Sequence, residues 1–228
     1  MRAFLVTSLT ILCLSAQTPD KTTTKAPAKT TTTSPAATAR RKAPMLNPAL
    51  YKAQAPPTFK AKFTTTKGIF VVEVHRDWAP IGADRFFNLV KGGYFDGGPF
   101  YRVRAGFMAQ FGFSPNPAVS KAWDKATIKD DPVTQSNKRG YITYAKTGAP
   151  NSRSTHLFIN FVDNSFLDPQ GFAPFGTVVL GMEVVDKLFS GYGDTDQGKL
   201  RDGGAAYVKK DLPNLDLILS AEIMPAGT

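Results

Sequence analysis

The sequence predicts a mainly β fold, a closed antiparallel eight-stranded barrel capped by two α-helices. Three observations carry that prediction. Eight short stretches rich in aromatic and β-branched residues follow one another, most of them bounded by Gly, Pro, Asn or Asp. Only two segments repeat apolar residues at helical spacing. Of the 228 residues, 42% are hydrophobic and 11% aromatic, enough to build one domain around a core without disulfides.

The chain opens with MRAFLVTSLTILCLSA, residues 1–16, in which Arg2 precedes an apolar run and the small residues Ser15 and Ala16 close it. This is the layout of a secretory signal peptide, and the run falls short of the roughly 20 residues a membrane span needs; an uncleaved anchor is the other reading. Cys13 is the only cysteine, so cleavage leaves a mature chain with no disulfide, thiol nucleophile or cysteine ligand. Residues 17–48 collapse to Thr, Ala, Pro and Lys and predict a disordered linker, because such a composition buries too little apolar surface to offset its conformational entropy. Scattered apolar residues and prolines from Met45 onward read as an extended or single-turn lead-in. The boundaries adopted are linker 17–48, lead-in 49–58 and domain 59–226.

The formal charge of +10 raises nucleic acid as a partner, but residues 1–48 carry +6 of it. Basicity concentrated in a tail leaves no reason to expect a nucleic-acid surface on the domain. The tail either stays solvated or makes weak contact with an anionic envelope surface.

Within the domain, Phe59 to Thr66 and Ile69 to His75 alternate apolar residues about Lys67-Gly68 and predict a hairpin. Trp78-Ala79-Pro80 opens a helix whose Ala83, Phe86, Phe87 and Val90 share one face, and Gly92-Gly93 ends it. Phe100 to Val103 and Phe107 to Phe111 form strands about Ala105-Gly106. Ser114 to Lys138 is polar and reads as a long surface loop. Strands follow at Arg139 to Lys146, Thr155 to Phe161 and Ala173 to Leu180, then a helix at Met182 to Phe189 packing Val184, Val185 and Leu188. Ser190 to Pro213 is a long connection that rims a groove or packs on a barrel end, and Leu215 to Met224 is the last strand.

Little conventional catalytic equipment is present. His75 and His156 are the only histidines and lack metal-ligand spacing, so no metal is expected. Ser154 sits two residues from His156 in a strand, which does not make a triad. No Gly-rich loop precedes a helix, so no nucleotide cofactor is expected.

Arginine in a half-buried strand needs a reason, and FYRVRAGFMAQFG, residues 100–112, carries Arg102 and Arg104 with Gln110 in the neighbouring strand. This stretch, GYITYAKTGAPNSRSTHLF (140–158) and FLDPQGFAPFG (166–176) occur in an order that resembles the cyclophilin family of peptidyl-prolyl isomerases. The resemblance spans roughly residues 59–189 and implies a cyclophilin-like barrel. It implies Arg102 and Gln110 as catalytic residues, with Phe107, Met108, Ala145, Lys146, His156, Phe158, Phe166, Leu167 and Phe172 binding a proline-containing polypeptide. Period-2 alternation puts Arg104 on the face of Arg102 unless the chain bends at Ala105, so Arg104 is the other candidate.

Several positions depart from the best-known members. Phe166 stands for tryptophan, Phe172 for histidine, His156 for glutamine and Lys146 for asparagine, and Ala149 looks inserted; these resemble bacterial and plastid members. Loss of ring N–H donors at Phe166 and Phe172 argues against tight cyclosporin binding. The expected function is isomerisation of X-Pro bonds in exported proteins by an arginine-assisted twist of the imide, by a monomer needing no cofactor. The alternative is a non-catalytic module that holds proline-containing segments or a partner on the same barrel.

Overall fold

The structure, a computed structural model, describes residues 44–225. The expected signal peptide, Cys13 and most of the linker lie outside the described residues. Met45, inside the linker boundary, is 3% exposed, and its carbonyl accepts the Trp123 Nε1–H at 2.7 Å. The lead-in therefore docks from Met45 onward, passes through a 3-10 turn at Pro48–Leu50, and is tied down where Asn88 bonds both the N–H and the C=O of Ala53.

Eight strands form one antiparallel sheet: β1 Thr58–Thr65, β2 Gly68–His75, β3 Phe100–Arg104, β4 Met108–Phe111, β5 Tyr141–Tyr144, β6 Leu157–Asn160, β7 Pro174–Leu180 and β8 Ile218–Ile223. Their order is β3-β4-β6-β5-β7-β2-β1-β8. The ends of this order meet where Phe100 N–H bonds the Asp216 carbonyl at 2.9 Å and Ile218 N–H bonds that of Gly98 at 2.8 Å. Closure spares these strands part of the unpaired edge an open sheet leaves.

Aromatic rings fill the interior because alternate strand positions point inward. Phe63 and Phe70, partners across the β1–β2 hairpin, stack with centroids 4.9 Å apart, and Phe86, Phe95, Phe100, Phe111 and Phe175 are buried around them. The hairpin alternation holds: Phe70, Val72 and Val74 face this core. Helix α1, Pro80–Gly92, covers one end with Phe86, Leu89 and Val90, and stops at Gly93, whose φ of 77° needs no Cβ. Its N-cap, Ala79, offers no side-chain acceptor. Asp131 takes that part from the following long segment, accepting Ile81 N–H at 3.0 Å and Gly82 N–H at 2.8 Å.

The two expected helices are joined by two more. Residues 114–138 are not one loop: they contain α2, Pro117–Asp124, started by Pro117 and by Asn116, whose side chain accepts Ala118 N–H at 3.0 Å. Val119 and Trp123, four apart, are its buried face. The expected helix from Met182 is one turn, α3 Met182–Val185, continued to Leu188 by i to i−3 bonds. The 190–213 connection holds α4, Gln197–Asp211, which packs Leu200 and Val208 with Leu212 and Leu215 against Tyr101 and Phe113. Gly204 breaks α4 with φ 53° and ψ −139° so that Ala205 N–H can bond the Pro115 carbonyl at 2.9 Å.

Candidate functional site

The outer face of the sheet carries a smaller apolar cluster, separate from the core: Met108, Phe158 and Leu167 are buried, with Phe107, Ala145 and Phe172 packed against them. They floor a cavity of about 310 Å³, of the size of small-ligand sites. Strand register explains how it is assembled. Arg102 pairs with Gln110 across β3–β4, and Gln110 pairs with Phe158 across β4–β6. Met108 sits two residues from Gln110 on the same face, and His156 two before Phe158, so all five side chains reach one side.

The polar edge is built on Arg102. Its Nη1 donates to Gln110 Oε1 at 3.3 Å, and its Nε donates to Asp194 Oδ1. Arg104 does lie on the same side, but only Arg102 lines the cavity; Arg104 Nη1 meets the other Asp194 oxygen at 2.7 Å. The Arg102 side chain is 27% exposed against 51% for Arg104. The hydrogen bond from Arg102, with the charges of both arginines, holds the Asp194 carboxyl below its usual value despite slight burial.

His156 is held from both sides of its ring. Nδ1 lies 3.0 Å from the hydroxyl of Tyr101, whose pKa is raised by burial, and the ring meets Phe113 edge-on at 4.6 Å. Ala145 contributes backbone as well as surface, its N–H bonding the His156 carbonyl at 2.9 Å. Lys146 extends along the rim to Asp130, 3.4 Å away.

Ten of the eleven residues expected at the site line the cavity. Phe166 does not: it is 58% exposed and stacks on Phe107 with centroids 6.0 Å apart, extending the wall outward. Sequence reasoning missed Thr147, Ser152, Ser154 and Gln197 in the lining and Asp194 behind Arg102. Proximity to the 140–158 motif could have found the first three. Asp194 and Gln197 lie in a Gly- and Asp-rich stretch without periodicity and carried no local signal.

A buried polar network anchors the segment that carries Leu167 and Phe172. Asn137, fully buried, donates through Nδ2 to Asp168 Oδ1 at 2.7 Å and to the Phe172 carbonyl at 2.9 Å, and accepts Thr143 Oγ1–H at 2.8 Å. Asn164 donates to the Phe107 carbonyl at 2.9 Å and to Asn160 Oδ1 at 2.8 Å. Burial pushes the Asp168 carboxyl up, but bonds from Ser136 and Asn137 outweigh it and hold the group below its usual value. Among the described residues no group of three or more His, Cys, Asp or Glu side chains is placed to hold a metal ion.

Comparison with known proteins identifies the family of the chain. A family model described as cyclophilin type peptidyl-prolyl cis-trans isomerase/CLD matches residues 60–204. A peptidyl-prolyl cis-trans isomerase of Acinetobacter baylyi is 35% identical over 154 residues, which cover 65% of this chain and 81% of that protein. Peptidyl-prolyl cis-trans isomerase B of Escherichia coli is 32% identical over 167 residues, covering 70% and 95%. Among solved structures, cyclophilin AquaCyp293 from Hirschia baltica superposes with a TM-score of 0.55 at 18% identity, over 74% of this chain and 75% of that one. A cyclophilin type isomerase of Cryptosporidium parvum gives 0.56 at 18% identity, over 74% and 98%.

Proposed function

The chain belongs to the cyclophilin-type peptidyl-prolyl cis-trans isomerase family and is an isomerase of X-Pro bonds, and from that premise we propose that Arg102 drives the rotation and that the substrates are exported proteins. The barrier to rotation, about 18–20 kcal/mol, comes from delocalising the nitrogen lone pair into the carbonyl. At the twisted state that pair localises on nitrogen and becomes a better acceptor. A guanidinium N–H aimed at it then stabilises the twisted state more than either planar isomer, and each ~1.4 kcal/mol of such preference is worth tenfold in rate. Gln110 holds Nη1 of the guanidinium and offers its amide to the substrate backbone. Met108, Phe158 and Leu167 grip the prolyl ring, with Phe107 and Phe172 at its sides, while the preceding carbonyl turns. Ala145, Lys146 and His156 contact the flanking residues, and Phe166 widens the wall. No bond breaks, so the reaction requires no nucleophile and passes through no covalent intermediate.

The observation that carries this reading is the pairing of Arg102 with Gln110 on adjacent strands at the edge of an apolar cavity. A protease-coupled proline-peptide assay tests it: Arg102→Ala is expected to lose most of the turnover, and unchanged activity would refute the role of Arg102. Export rests on residues 1–16 and on the Thr- and Lys-rich segment after them. Spontaneous isomerisation takes tens of seconds or longer, so proteins folding after export gain from a catalyst. N-terminal sequencing of protein recovered from outside the cytoplasm is expected to begin at Gln17; recovery in the cytoplasm alone would refute export. The basic tail adds weak contact with anionic surfaces, and sedimentation is expected to show a monomer.

A further inference from the structure

Asp194 lies 92 residues from Arg102 in sequence, yet the two pair backbone to backbone as an antiparallel bridge on the free edge of β3. The next residue secures the junction, Thr195 Oγ1 donating to the Tyr101 carbonyl at 2.6 Å. One row therefore crosses the sheet as Phe158, Gln110, Arg102 and Asp194, each in register with the next. Arg102 is flanked in that row by an amide on one side and a carboxylate on the other.

The guanidinium is a rigid planar fork with five N–H donors, so fixing two of its nitrogens fixes the direction of the third. Gln110 Oε1 takes Nη1 and Asp194 Oδ1 takes Nε. The directional Nε–H bond and the off-axis Nη1 bond together oppose turning of the plane about the Cδ–Nε bond. Nη2 has no partner among the described hydrogen bonds of Arg102, and it is the nitrogen with both N–H groups left for the substrate. The carboxylate is itself immobilised: its second oxygen meets Arg104 Nη1 at 2.7 Å, and Asp196 caps α4 two residues on by accepting Lys199 N–H at 3.0 Å. Gln197, in the first turn of α4, reaches the cavity lining, so this same segment forms part of the groove wall.

We propose that Asp194 is a positioning residue for isomerisation, presetting the plane of the Arg102 guanidinium before substrate arrives, and that this is the function of the start of the 190–213 segment. The proposal rests on the reading that Arg102 acts on the prolyl nitrogen. A donor aimed in advance needs no reorganisation when the lone pair localises, and misplacement by about 1 Å costs up to ~100-fold in rate. A residue that only packs would affect stability instead. A carboxylate that merely held Arg102 away from substrate would make its removal activating.

The test uses the full chain in the protease-coupled assay, with kcat and KM separated. Asp194 is 54% exposed, so Asp194→Asn is expected to keep its melting midpoint. It is expected to lower kcat about tenfold and to change KM less than about twofold, the pattern of an interaction that matters in the twisted state. Asp194→Glu restores the carboxylate and is expected to recover part of the lost kcat. In heteronuclear NMR the Arg102 Nε–H, assigned by its loss in Arg102→Lys, is expected to exchange slowly with solvent in the parent protein and fast in Asp194→Asn. Unchanged or raised kcat in Asp194→Asn would overturn the proposal. So would a lowered kcat with the Arg102 Nε–H still protected, or no recovery in Asp194→Glu. Full activity in Arg102→Ala would instead defeat the underlying reading, and that result is independent of any Asp194 variant.

Discussion

Replacing Asn137 by alanine tests how the groove wall is held. Each of the four hydrogen-bonding sites of the Asn137 amide is engaged, by Asp168, the Phe172 carbonyl, Thr143 and, at 3.4 Å, Asn160. Asn137→Ala keeps the backbone N–H that bonds Asp168 Oδ1 at 3.0 Å, and Asp168 also keeps Ser136. The Phe172 carbonyl and the buried Thr143 hydroxyl lose these partners. At about 1–3 kcal/mol for each of these two orphaned groups, the expected loss is about 2–6 kcal/mol, large against a typical total of 5–15. Urea unfolding is expected to show a lower midpoint with an unchanged slope. Leu167 and Phe172 would shift while Arg102 and Gln110, on other strands, stay, so KM is expected to rise severalfold with a smaller change in kcat. Asn137→Asp keeps the volume but turns two donors into lone pairs facing Asp168 and a carbonyl, and is expected to be worse than alanine. A loss below about 1 kcal/mol with KM unchanged would show that the network does not hold the wall.

A Cβ at Gly204 would overlap the Pro115 carbonyl oxygen at a positive φ, so Gly204→Ala is expected to lower the melting midpoint through at least about 1–3 kcal/mol of backbone strain. Gly148→Ala, with open space around it, is the control and is expected to stay within about 0.5 kcal/mol of the parent. Trp123→Phe loses the bond to the Met45 carbonyl and leaves a smaller ring in a fully buried place; limited proteolysis is expected to cut residues 44–57 faster, at a stability cost of about 1–3 kcal/mol. The pH dependence follows from the carboxyl of Asp168, which is depressed in the folded state. Its contribution is complete above the unfolded value near 4 and is lost as pH falls through the folded value, so urea midpoints are expected to drop below about pH 4. Burial pushes the Tyr94 phenol up to about 12, so the folded chain retains a proton that the unfolded chain releases near pH 10. Stability is expected to fall again between those two values.

What the sequence reveals and what it hides divide along a physical line. A strand writes its two faces into alternate residues, so period-2 alternation by itself places Met108 with Gln110, and His156 with Phe158. Helix α1 is equally readable, since its apolar stripe, Pro80 and Gly93 are local. Helix α2 is harder to see although Asn116-Pro117 and the pair Val119 and Trp123 announce it; the polar residues around them mask eight residues of pattern. Helix α4 gives less to find, because Gly203 and Gly204 interrupt it and its buried face is only Leu200, Gly204 and Val208.

The polar partners stay hidden for a different reason. Asp131 caps α1 from 50 residues away, Asn137 reaches Phe172 across 35, and Asp194 reaches Arg102 across 92. A hydrogen bond asks only that donor and acceptor meet, and imposes no spacing on the chain between them. Nothing in the residues around Asp194 distinguishes it from Asp202, which meets Lys121 and Arg201 at the surface. Only the β-bridge to Arg102 does. Local pattern therefore specifies the apolar floor of the cavity, while the setting of the Arg102 guanidinium at its edge depends on long-range partners that the fold alone brings together.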